Sequence, residues 1–457
     1  MKYVLLFFLF SAFLLAQAPT TYPTARIDKA VTQLPNPMPD WGGAIGAGKK
    51  WCNPAYNGDC YYRLSDANTA YPAKPHYTSM QTGDSGLPRF VNKTGSHVVL
   101  RTTGGSTVIV GFNLSKGLVV KTPIAFSFLV QFAENTDTVL FGLNGTQLHK
   151  ITAKGDWSGV LSDKILFDYA SANCLGSGFI ATWDGILSFS NDTTFKSSFS
   201  DSGTQGSGRY AVTWSAIKGC SVYNTVSGTV TVKGKLVGTV ASNDRFTIHD
   251  VTGGNEPNHM LITASEKQPG GASGCIAGNC LADSPYDYEV GTTNLMPCGP
   301  TKCDGHNAVG PDGFITGKKA IYHSWANPAV PLTQLANFPN GWPDFHGSAT
   351  NGATLNGPPF FMFNQQVDSP TTYPVWGYNE IVAVKSDGSL TTYRFGQTLG
   401  NTGTSPLFIC KEGPGGVSPL GDYVVFTSDA GGKGALGFEA DGTSRCDVFA
   451  LATVATK

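Results

Sequence analysis

Thr247-Ile248-His249-Asp250-Val251, Asp304-Gly305-His306-Asn307-Ala308 and Asp344-Phe345-His346-Gly347-Ser348 are the stretches on which the fold of this chain turns. Each sets a histidine near the start of a unit that runs on into an apolar β-forming segment. The histidines follow one another at 57 and then 40 residues. A propeller blade takes roughly 40 to 50 residues. The second step is therefore blade-sized, and the first is a blade plus an insertion that carries Cys275, Cys280, Cys298 and Cys303.

Outward from these units the chain keeps the same character. Short β-branched or aromatic runs recur at Tyr61-Tyr62-Arg63-Leu64-Ser65, Val98-Val99-Leu100-Arg101, Thr107-Val108-Ile109-Val110, Phe126 to Phe132 and Thr138-Val139-Leu140-Phe141, and none leads into a helical pattern. Hairpin turn pairs stand between runs at Asn144-Gly145, Asp184-Gly185, Asp312-Gly313, Asp387-Gly388 and Asp441-Gly442. The stretch from Ser221 to Val240 alternates regularly and turns at Lys233-Gly234, which predicts an exposed antiparallel hairpin. With 56 Gly and only 14% charged residues in 457, the composition suits many tight turns joining short strands. The expected fold class is all-β.

The N-terminus predicts export. Met1-Lys2-Tyr3 leads into an apolar run from Val4 to Leu15 and then the small-x-small site Ala16-Gln17-Ala18, the pattern of a secretory signal peptide. Pro19 follows directly and leaves the cut itself unfixed. The run is too short for a helix spanning a bilayer, which needs about 20 residues, so no transmembrane segment is expected. This divides the chain into a signal peptide at 1–18, an irregular Pro- and Gly-rich arm at 19–58 and a propeller at 59–457, with a secreted, periplasmic or extracellular destination.

Ten cysteines, an even number, all lie beyond the signal segment, as suits an oxidising compartment. Proximity suggests Cys52 with Cys60, Cys275 with Cys280, Cys298 with Cys303 and Cys410 with Cys446, leaving Cys174 for Cys220. Export favours disulfides over a four-thiolate zinc site among Cys275 to Cys303. With 31 basic and 32 acidic side chains the formal charge is −1, which gives no electrostatic case for nucleic acid or an anionic membrane. Sequons stand at Asn92, Asn113, Asn144 and Asn191 and are acceptors only in a eukaryotic secretory route.

A family resemblance sharpens the fold. Val417-Ser418-Pro419 through Tyr423-Val424-Val425-Phe426-Thr427-Ser428 is similar to the strand pair of TolB-like propellers, with Leu420-Gly421-Asp422 in place of the usual Asp-Gly, and Gly310-Pro311-Asp312-Gly313 is a closer match. The resemblance covers the last 220 or so residues and implies a single propeller of seven four-stranded antiparallel blades. Gly305-His306 also has the form of the structural Gly-His pair in WD-type repeats. TolB-like proteins include the oligogalacturonate lyases, and likeness to them implies a metal near the channel mouth and elimination across a uronate ring. Neither a catalytic base nor that family's full ligand set can be matched here.

In a propeller the innermost strand of each blade lines the channel, so His249, His306 and His346 are candidates to converge on a divalent metal, zinc or manganese. Neutral imidazole suits such ions. Asp250 and Asp344 are placed to orient the imidazoles, and Trp325 and Trp342 to stack on a sugar ring. The bland alternative is that these histidines tie strands together and that both tryptophans are loop packing. His76, His97, His149, His259 and His323 lack a repeat context and read as ordinary, partly exposed histidines. No Gly-x-Ser-x-Gly elbow, His-Glu-x-x-His, phosphate loop or dinucleotide fingerprint occurs. Two functions follow: a secreted monomeric propeller that binds or cleaves a carbohydrate-like, uronate-type ligand, or a non-catalytic scaffold whose partner is an envelope protein.

Overall fold

In a computed structural model of the chain, residues 18–30, 50–57, 59–65, 80–81, 89–102, 106–114, 117–118, 124–181, 188–190, 192–201, 208–240, 247–252, 258–265, 284–297, 307–316, 319–338, 345–350, 353–364, 376–377, 379–399, 415–429 and 446–454 are described. They form a β-propeller of seven antiparallel sheets in chain order. One 3-10 turn, Pro54–Tyr56, is the only helical element among them.

Blade one holds Met80–Gln81, His97–Thr102, Thr107–Asn113 and the short Gly117–Leu118 and Ile124–Phe126, and blade two Leu129–Phe132, Val139–Asn144, Gln147–Ala153 and Val160–Asp168. Blade three has an inner edge in two pieces, Phe179–Ala181 and Ser188–Ser190, both paired to Thr194–Asp201. It continues through Tyr210–Ser215 and Gly219–Asn224 into the hairpin Thr229–Val232 and Lys235–Thr239. Blades four, five and six are four-stranded and begin with Thr247–Thr252, Ala308–Val309 and Phe345–Ala349. Blade seven carries Gly415–Val417, Tyr423–Ser428 and Asp447–Ala452, and is completed by Cys60–Arg63 and Lys50–Cys52 from the other end of the chain.

Physical reasons for these strands are plain in blade six. Phe361 and Phe363 pack with Ile381 and Ala383 on one face, while Phe360 and Met362 pack with Val382 and Val384 on the other. Both faces of a blade meet neighbouring blades, so its central strands read as unbroken apolar runs rather than alternating ones. The expected hairpin at Lys233-Gly234 is present, with φ of 50° and 75°, the left-handed pair that a type I′ turn requires.

Closure ties the two ends together. Tyr61 pairs with Leu451 and Arg63 with Phe449, while buried Asp447 accepts from Arg63 and from Ser65 Oγ. The Tyr61 hydroxyl donates to the Gln397 carbonyl at 2.9 Å and accepts from its N–H at 2.7 Å, linking the closing strand to blade six. Residues 18–30 reinforce this junction. Tyr22 is buried against Phe361, Tyr393 and Phe395, its hydroxyl donates to Gly421, and Arg26 bridges to Arg394.

The expected disulfides Cys52–Cys60 and Cys174–Cys220 are formed. Cys446 is disulfide-bonded, and Cys410, its expected partner, lies outside the described residues, as do Cys275, Cys280, Cys298 and Cys303. No helix among the described residues is long and apolar enough to cross a membrane. Of the sequons, Asn92 is 1% exposed and its amide nitrogen donates to Thr94 Oγ1, Ser96 Oγ and Asp137 Oδ1. A glycan has no room there. Asn113 and Asn144 are exposed, and Asn191 lies outside the described residues.

Candidate functional site

The first strands of blades four and six place two of the three candidate ligands. His249 is the third residue of Thr247–Thr252 and stands at a bulge: Ile248 pairs with Ala264 and Asp250 with Thr263, so His249 is left out of the ladder. A bulge re-aims a strand at a rim. His346 is the second residue of Phe345–Ala349, opposite Phe363, and is fully buried. Beside it, a Cβ on Gly347 would stand 2.7 Å from Ala308 Cβ and 2.8 Å from the Asn307 carbonyl carbon. The inner strands of blades five and six thus touch one residue from His346, and only glycine permits the approach.

His306, Asp344 and Trp342 lie outside the described residues, and for His249 and Asp250 the backbone alone is described. Among the described residues no three His, Cys, Asp or Glu side chains gather as a metal site. Trp325 is 6% exposed. Its indole N–H donates to the Gly310 carbonyl at 3.1 Å, and its ring packs on Phe314 with centroids 4.8 Å apart.

Several histidines outside the repeat are less ordinary than sequence reasoning held. His323 is buried and donates from Nδ1 to the Pro328 carbonyl at 2.8 Å; burial lowers its pKa. His149, also buried, pairs through Nδ1 with Asp163 at 2.8 Å. His97 stacks on Trp157 at 4.3 Å, and burial brings its pKa down to about 4. His259 pairs through Nδ1 with Asp287 Oδ2 at 2.8 Å, the carboxylate being 1% exposed. Burial pushes the Asp287 carboxyl up, while the His259 hydrogen bond and charge pull it back. The His259 carbonyl also accepts from the buried Lys196 ammonium at 2.6 Å. His76 lies outside the described residues.

His149 lies near the start of the third strand of blade two, toward the strand-start face of His249 and His346, whereas His97, His259 and His323 lie toward the opposite face, at which inner strands end. Between blades two and three a groove of about 440 Å³ opens there. Phe141, Leu166, Phe195, Trp214 and Ile217 give its apolar lining, and Lys150 and Lys218 its positive charge. Trp214 is half-buried with Phe167 stacked on it at 4.9 Å. It pairs in register with Cys220, so the Cys174–Cys220 bond fixes the wall that carries it. Sequence offered a faint cue in Lys196, a cation inside the β-forming run Thr194–Asp201, but the groove draws on blades two, three and four and leaves no local pattern.

This architecture makes the protein a seven-bladed β-propeller. No family model and no curated protein matches the chain. Among solved structures it is similar to an oligogalacturonate lyase in complex with manganese, at 11% identity over 86% of this chain and 93% of that one, with a TM-score of 0.48. The RRP9 WD40 repeats match at 10% identity over 82% and 98% with a TM-score of 0.41, and a luciferin-regenerating enzyme at 8% over 82% and 92% with 0.36. At such identities the likeness is one of fold.

Proposed function

We propose that this is an exported propeller that binds an anionic, carbohydrate-like ligand of the uronate type at the channel mouth on the strand-start face, through a divalent ion held by His249, His306 and His346. The supporting observation is positional. His249 and His346 fall within the first three residues of their inner strands, His249 on a bulge, and the strand of His346 touches blade five at Asn307 and Ala308, beside His306. Three imidazoles are a fitting donor set for zinc or manganese, with Asp250 and Asp344 behind them and Trp342 offering a ring face. A divalent ion held by these residues would neutralise a ligand carboxylate and stabilise negative charge developing beside it, the chemistry that a lyase requires. Formed disulfides suit the export that the N-terminus predicts.

Metal content of purified protein tests this reading. The wild-type chain should retain about one equivalent of zinc or manganese, and His249→Ala and His306→Ala should each lose it. Polyuronate is then offered, and unsaturated product is followed by ultraviolet absorbance. Unchanged metal content in both variants would overturn the metal site, and an absorbance that never rises would remove the lyase activity. A second reading, a non-catalytic scaffold, is supported by Leu161, Ile165, Leu236 and Val237, exposed on the outer strands of blades two and three.

A further inference from the structure

We infer that the groove between blades two and three is a second ligand site, distinct from the channel mouth, and that it takes a small ring-bearing carboxylate. Size is the first argument: about 440 Å³ falls within the range of roughly 300 to 1,000 Å³ typical of small-molecule sites. Its lining is the second. Half-buried Trp214 and the side chains of Phe141, Phe195 and Leu166 offer a flat apolar wall, and Ile217, 91% exposed at the tip of the turn between Tyr210–Ser215 and Gly219–Asn224, stands free at the lip. A solvent-facing isoleucine on a turn gains nothing for the fold, whereas it would gain burial against a bound ring.

Charge is the third argument. Lys218 lies at the lip and Lys150 on the facing blade, both exposed, and neither pairs with a carboxylate among the described residues. The acidic group in the lining is already committed: Asp192 accepts from the Glu134 and Asn135 backbone N–H groups at 2.6 and 3.0 Å. Two ammonium groups against this one carboxylate leave the groove with a net positive charge toward a ligand.

Lys218 is also held in place. Its ammonium donates to Asn258 Oδ1 at 2.6 Å, the Asn258 carbonyl accepts from Val290 N–H at 2.8 Å, and the next residue, His259, is fixed by Asp287 and Lys196. Blades three and four therefore cooperate to aim one ammonium group. A further cavity of about 240 Å³ shares Thr194, Trp214, Ser215 and Lys218, and adds the hydroxyls of Thr213 and Ser221. Lys218 stands where an apolar and a hydroxyl-lined space meet. That arrangement fits a carboxylate flanked by a ring on one side and hydroxyl groups on the other, chemistry shared by a uronate disaccharide and by a hydroxylated aryl acid.

Titration calorimetry of the full chain distinguishes the sources, using a di-uronate, a hydroxycinnamate and the neutral amide of each. Binding of either acid, at least tenfold tighter than its amide and weakened by salt, supports the site, and the acid that binds names its class. Lys218→Gln should weaken binding about tenfold, the worth of one charge-assisted hydrogen bond, and Ile217→Ser several-fold without altering the unfolding midpoint. His249→Ala should leave it unchanged, which separates this site from the channel mouth. The inference is overturned if neither acid binds at millimolar concentration, if acid and amide bind alike, or if Lys218→Gln and Ile217→Ser leave the affinity untouched.

Discussion

Arg394 and Glu380 lie on neighbouring strands of blade six and meet fork to fork, with Arg394 Nε 2.6 Å from Glu380 Oε2 and both side chains out of contact with solvent. The rest of the guanidinium is used as well: Nη1 donates to the Asp28 carbonyl and carboxylate, Nη2 to the Ala30 carbonyl and to Glu380. Tyr56 Oη donates to Glu380 Oε1 at 2.7 Å. One buried cation thus fastens residues 28–30 to the blade that the closing strand abuts.

Breaking this pair from one side strands a buried charge, which costs about 3–5 kcal/mol. Arg394→Met should lower stability by that amount in urea unfolding and expose residues 18–30 to limited proteolysis. Adding Glu380→Gln to Arg394→Met should recover part of the loss, because the stranded carboxylate is then gone.

Reduction of Cys174–Cys220 should matter more than reduction of Cys52–Cys60. The first bond closes 46 residues and the second 8. In the chain-entropy relation the longer loop is worth about 4 kcal/mol and the shorter about 2.5. The paired substitution Cys174→Ser with Cys220→Ser should lower the unfolding midpoint and change Trp214 fluorescence, since the bond fixes the strand that pairs with Trp214.

Asp59 sets a pH dependence of its own. It is 6% exposed, its Oδ2 has no hydrogen-bond partner among the described residues, and burial raises its pKa to about 7. A carboxyl whose folded pKa lies above its unfolded value holds its proton more tightly in the native state. Its contribution therefore fades as pH rises from about 4 to about 7. Asp59→Asn should stabilise the protein by roughly 4 kcal/mol at pH 8 and leave it unchanged at pH 3, as read from denaturant midpoints at the two pH values.

His97 works in the other sense. With its folded pKa near 4 and its unfolded one near 6.5, the unfolded chain binds the proton first as pH falls. Stability should drop between pH 6.5 and 4 by roughly 2 to 3 kcal/mol. His97→Phe, which keeps a ring on Trp157, should flatten that part of the profile. An NMR titration in which the His97 ring protonates near pH 6.5 would contradict the assignment.

What the sequence determined by itself was local. β-branched runs and turn pairs such as Lys233-Gly234 declared strands and hairpins because both depend on neighbours within a few residues, and the histidine spacing declared blades because a blade has a fixed chain length. Cys52 with Cys60 was legible for the same reason of proximity. The burial of His149 and His323 was not, because it depends on which face of a blade meets the next one. Pairing of Tyr61 with Leu451, the clasp of Arg394 on residues 28–30 and the groove shared by Phe141, Trp214 and Asn258 join residues remote in sequence. Only the closed ring brings them within reach, since each depends on the packing of whole blades against one another and leaves no periodic trace along the chain. His249 and His346 stand between the two cases: their spacing put them at blade starts, and the fold decides which neighbours those starts meet.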